Sequence, residues 1–156
     1  MNRTQLTTRA QVLMRDFGGS TFRPEDIYEF INEAIERCQQ VIPELEGMVL
    51  LDEATDVPIL LPLKWQHLLA VYAAARCQFL DERHYQATQL MNEFEFKLEE
   101  LKGRIEAGEE TITDAEGNVV TNDNAVDFVE TITYWGRNNY TFEVEDTQQT
   151  LEDEDI

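Results

Sequence analysis

The sequence predicts a mainly α fold, and three observations carry that prediction. Apolar residues recur at helical spacing in four stretches. Proline and glycine punctuate the ends of those stretches. The texture turns to threonine, valine and aromatic residues only after Gly108. The expected architecture is an antiparallel four-helix core with an extended crossover, a C-terminal β-hairpin arm and an acidic tail. This divides the chain into a helical core over 1–108, a β-rich extension over 109–145 and an acidic, flexible tail over 146–156. A chain of 156 residues suits one modest core with an appendage.

Each element has its own justification. From about Thr4 to Phe17, Leu6, Ala10, Leu13, Met14 and Phe17 recur at helical spacing, and Gly18-Gly19 breaks the pattern. Pro24 opens a second helix, with Glu25 and Asp26 at the positive end of its dipole, and Pro43 closes it. Its apolar stripe is Ile27, Phe30, Ile31, Ala34, Ile35, Cys38 and Ile42. Met48 to Leu51 and Val57 to Leu61 are short apolar runs around a turn-like Asp52 to Asp56, which predicts a hairpin-like crossover. A third helix, about Pro62 to Leu80, is apolar around most of its circumference and is therefore expected at the centre, with Trp65 and Leu69 inaccessible. A fourth, about Glu82 to Ala107, carries Ala87, Met91, Phe94, Leu98, Leu101 and Ile105 as a seam, and Gly108 stops it. Its outer face, from Glu93 to Arg104, is either solvated or a subunit contact. Beyond it, turns at Asp114–Asn118 and Gly136–Asn139 predict two hairpins.

Charge narrows the function classes. There are 12 Lys and Arg against 32 Asp and Glu, a net charge of −20, which disfavours any role that neutralises phosphates along DNA. The charge is polarised: residues 1–24 hold four arginines and one acid, whereas residues 111–156 hold Arg137 and 12 acids. A basic start and an acidic end can attract each other between neighbouring copies, over the ~10 Å that salt allows. Cys38 and Cys77 fall on apolar helix faces and are expected to be free core thiols. No apolar run approaches the ~18 residues that span a bilayer, and a secretory signal pattern is absent, so synthesis in the cytoplasm is expected.

No catalytic constellation emerges, and the expectation is a protein that is not an enzyme, with no catalytic, cofactor-binding or metal site. Asp81-Glu82-Arg83-His84 has no phosphate loop to work with. Asp114 to Asn118 lacks the glycine position and closing glutamate of a calcium loop. Glu25, Glu29, Glu33 and Glu36 lack the Glu-x-x-His pairs of a bundle metal site, and His67 and His84 have no ligand at metal spacing.

Three stretches together resemble the head-to-tail adaptor proteins of tailed double-stranded DNA phages. The first is Arg15-Asp16, Phe22, Glu25-Asp26-Ile27 and Phe30-Ile31-Asn32-Glu33-Ala34; the second is Leu61-Pro62 with Trp65; the third is Ala74-Ala75-Arg76-Cys77 with Asp81. The resemblance covers roughly residues 6–105. It implies a homo-oligomeric ring, commonly a dodecamer, in the neck of a virion, that binds the portal protein on one side and a tail or stopper protein on the other. Such a ring extends the channel through which the genome is packaged and ejected, and DNA passes without sequence-specific binding. Acidic walls suit that passage, because they repel phosphate. Tyr134, Trp135, Tyr140 and Phe142 in the extension are the candidate anchors for a partner protein. The rival readings are an acidic DNA mimic and a helical protein-binding module.

Overall fold

The computed structural model describes residues 1–16, 19 and 21–121. Within them the protein is mainly helical, with four α-helices: α1 (Arg3–Met14), α2 (Pro24–Val41), α3 (His67–Leu80) and α4 (His84–Glu106). Single 3-10 turns at Pro43–Leu45 and Leu63–Trp65 flank the segment that crosses from α2 to α3.

Local chemistry accounts for the helix ends. Asn2 accepts a hydrogen bond from the Gln5 amide at 2.8 Å while the Gln5 side chain accepts from the Asn2 amide at 2.9 Å, a reciprocal capping box that starts α1. The helix stops at Met14, short of Phe17, because Arg15 turns left-handed at φ 59° and the Asp16 amide reaches back to the Gln11 carbonyl at 2.9 Å. Pro24 sits in the first turn of α2, and Ile42 is extended ahead of Pro43, as the proline ring requires. The turn between α3 and α4 includes Glu82 at φ 59°, so α4 begins two residues later than its apolar spacing suggests. Gly108, at φ 73°, ends α4 in a Schellman arrangement, with Gly108 bonded to Ile105 and Glu109 to Arg104.

Helix α3 is the hub. It packs against α1, α2 and α4, and it buries Leu68, Leu69, Ala70, Val71, Ala73, Ala74, Ala75, Cys77 and Gln78. Leu69 is fully buried, as the all-round apolar character of α3 predicts, while Trp65, 6% exposed, lies in the 3-10 turn ahead of it, so the helix expected from Pro62 begins at His67. Leu6 and Ala10 of α1, Ile27, Ile31, Ala34 and Ile35 of α2, and Phe94, Leu98 and Leu101 of α4 complete the core. Tyr72 and Phe94 meet edge to face, with ring centroids 5.0 Å apart.

Packing continues past α4. Ile112 is fully buried in the same core, and the Val120 amide donates to its carbonyl at 2.8 Å. Thr113 and Val119 form an isolated antiparallel bridge around the Asp114–Asn118 turn. The second expected hairpin and the acidic tail lie outside the described residues.

The crossover differs from expectation. Its two apolar runs do not pair as strands, and no strand forms among the described residues. The physical reason is that helix side chains, described next, take the hydrogen bonds that a partner strand would have taken.

Candidate interaction surface

Three amide side chains hold the crossover to the helices. Asn32 on α2 accepts from the Leu51 amide at 2.8 Å and donates to the Leu51 carbonyl at 3.1 Å, so one side chain satisfies both backbone groups of one residue. Gln39 donates to the carbonyls of Glu46 and Met48. Gln66 donates to Pro58 at 3.2 Å and Leu61 at 3.0 Å, and its oxygen accepts from the Met1 amino group. The Arg3 amide donates to the Asp56 carbonyl at 3.0 Å, joining α1 to the same segment. Asp52 accepts from the amides of Thr55 and Ala54, and these bonds hold its carboxyl below the usual aspartate range.

This pinning leaves apolar side chains outside. Met48, Leu51 and Leu61 turn into the core, whereas Val49 is 62%, Val57 41% and Ile59 56% exposed. Val49, Val57, Ile59 and Leu60 line one shallow groove with Gly47, Met48, Thr55 and Ala115. The segments that supply this lining carry no lysine or arginine: none occurs between Arg37 and Lys64 or from 109 to 121, while Glu46, Asp52, Glu53, Asp56, Asp114 and Glu116 all fall there. Glu46, Glu53 and Glu116 are exposed.

Helix α1 presents the opposite character. It contains Arg3 and Arg9 and no acid, and Arg15 follows immediately. Arg9 and Val12 line a groove along its outer face with Asn2, Thr4, Gln5 and Thr8, and Val12 is 51% exposed. Most other described cations are spoken for: Arg3 with Asp56, Arg23 with Asp26, Arg37 with Glu95, Lys64 with Glu110, Arg76 with Glu33, Arg83 with Asp81, and Lys97 and Arg104 with Glu100. Arg9, Arg15 and Lys102 make no ion pair among the described residues.

The residues singled out from sequence fall elsewhere. Tyr134, Trp135, Tyr140 and Phe142 lie outside the described residues. On the outer face of α4, Glu100 is bridged by Lys97 at 2.7 Å and Arg104 at 3.0 Å, which keep its carboxyl below the ordinary range, and Glu95 is tied to Arg37 of α2 at 3.0 Å. That face is thus partly paired, with Phe96 standing 70% exposed among the charges. Glu33 is engaged by Arg76, His67 meets the Lys64 carbonyl, and His84 lies against Phe79. Cys38 and Cys77 are free and buried, and desolvation pushes both thiols up to about 12. Asp114 accepts from the amides of Asn118 and Glu116, which hold its carboxyl low and make its loop a closed turn. Among the described residues no three His, Cys, Asp or Glu side chains converge as metal ligands, and no helix is long and apolar enough to cross a membrane.

Sequence reasoning missed the crossover groove, because it read Val49, Val57 and Ile59 as strand residues. The available signal was the long span from 38 to 63 without a cation. Comparison with family models, curated proteins and solved structures finds no match for this chain.

Proposed function

We propose that this protein is a non-catalytic structural component of a tailed-phage virion, a ring-forming adaptor that joins the portal to the tail and lengthens the DNA channel. The observation that carries the reading is that the first and third resembling stretches are joined by an ion pair and the second is buried in the same core. Within Ile31-Asn32-Glu33-Ala34, Ile31 and Ala34 are fully buried, Asn32 pins the crossover, and Glu33 pairs with Arg76 of the third stretch at 3.0 Å. Leu61 and Trp65 of the second stretch are buried beneath the crossover's end. The residues that carry the resemblance therefore do structural work together, which a chance likeness of texture does not require.

In this reading the helices form an antiparallel core, and the net charge of −20 repels DNA from the channel wall. The C-terminal region supplies a β-hairpin arm with an acidic tail, whose Tyr134, Trp135, Tyr140 and Phe142 anchor the portal, the tail protein or a neighbouring subunit. Mass measurement of the full chain, alone and mixed with its cognate portal, is the test. The expected result is a ring-sized species that co-sediments with portal; a monomer that ignores portal at every concentration sinks the proposal. A chain ending at Thr121 tests the arm and should keep its helices while losing portal binding.

A further inference from the structure

We infer that the apolar groove of the crossover, whose lining segments carry acids and no cation, is the docking site for helix α1 of a second copy of this chain. The inference deepens the ring reading, and rests on it for closure of the assembly, by naming the surfaces that meet.

Two complementary surfaces motivate it. The groove offers Val49, Val57 and Ile59, all more than a third exposed, and the segments that line it carry exposed Glu46, Glu53 and Glu116. The face of α1 offers exposed Val12 beside Arg9, with Arg15 one turn on, and no acid among its residues. In a chain of 12 bases against 32 acids, a cationic face with unpaired arginines is the rare item. Its best match on the described surface is the stretch that lacks cations altogether.

Arg15 adds a separate reason. It holds a left-handed φ of 59° at the end of α1, where glycine would avoid a penalty of about 1–2 kcal/mol. The side chain makes no ion pair among the described residues. Strain kept at an exposed, unpaired cation is accounted for if that cation meets carboxylates of another molecule. Apolar contact between Val12 and the Val57–Ile59 wall would supply burial, and the charges would set partner orientation and salt dependence.

The test uses the full chain. Sedimentation of the parent at rising concentration should reveal self-association that weakens at least about tenfold between low and high salt. Arg9→Glu with Arg15→Glu should weaken it at least about tenfold, the consequence of removing two attractive contacts and adding repulsion. Glu53→Lys with Glu116→Lys should do the same alone, yet associate again when mixed with the arginine-reversed chain. Because these side chains are exposed, thermal melts of every variant should match the parent. A Val12→Cys chain mixed with an Ile59→Cys chain should form a mixed disulfide dimer on oxidation. Association that ignores both charge reversals overturns the inference and leaves the ring reading standing. A chain that stays monomeric alone also overturns it, and portal co-sedimentation of that monomer decides the ring reading separately.

Discussion

Helix α3 and the crossover are neighbours in sequence and opposites in how they are held. Around α3, stability comes from burial of apolar side chains on almost every side. The crossover buries only some of its apolar residues, and Asn32, Gln39 and Gln66 supply many of its backbone bonds. The difference teaches that an irregular segment can be fixed without a strand partner, provided that helix amides reach its peptide groups.

The comparison breaks most sharply at Leu69. Leu69→Ala should cost about 2–5 kcal/mol in chemical denaturation, the range for truncating a buried leucine. A loss below about 0.5 kcal/mol would remove α3 from the centre of the account. Truncation sharpens the same point at the far end of the core. A chain ending at Gly108 loses the buried Ile112 and should unfold more easily by a similar amount, about 2–5 kcal/mol. A chain ending at Thr121 keeps Ile112 and should melt higher than the one ending at Gly108; equal melting of the two truncations would contradict the placement of Ile112.

On the crossover side, Asn32→Ala leaves both Leu51 backbone groups without their partner and should cost about 1–3 kcal/mol. Hydrogen exchange should accelerate at Leu51 well before it does in α3; unchanged exchange there would mean that Asn32 is dispensable. The Arg37–Glu95 pair, with both side chains more than a third exposed, should couple by no more than about 1 kcal/mol in a double-mutant cycle.

The smallest effect is at Asp52. Its folded carboxyl is held below the ordinary 3.8 by the Thr55 and Ala54 amides, so its contribution is present above that value and is lost as pH falls through the folded value. Stability of the parent should therefore decline more steeply than that of Asp52→Asn as pH drops below about 4. Parallel acid titrations of the two chains would show the capping role to be absent.

The helices were legible because their signals are local. Pro24, Pro43 and Gly108 mark ends through constraints on their own dihedrals, and the α3 stripe states its burial directly. The shortened end of α1 and late start of α4 were less legible, since Arg15 and Glu82 adopt a conformation more typical of glycine. The crossover misled because short apolar runs look alike whether their backbone bonds a strand or a side chain. Asn32, next to the buried Ile31 of α2, was the residue that held the answer. The groove followed from neither periodicity nor motif; it needed the fold to bring Ala115 beside residues 47–60.

The hub position of α3 has a kinetic consequence. Helices α3 and α4 are joined by Asp81 to Arg83 alone, so their pairing closes a short loop. Seating α1 ties Arg3 to Asp56 across 53 residues and Met1 to Gln66 across 65, closures whose entropy must be overcome before any contact rewards it. During synthesis α1 emerges first and can find its seat only after α3 has followed, so the first helix made should be the last secured. Pulse-labelled exchange during refolding should record protection in α3 and α4 ahead of α1, and the reverse order would refute this sequence of events.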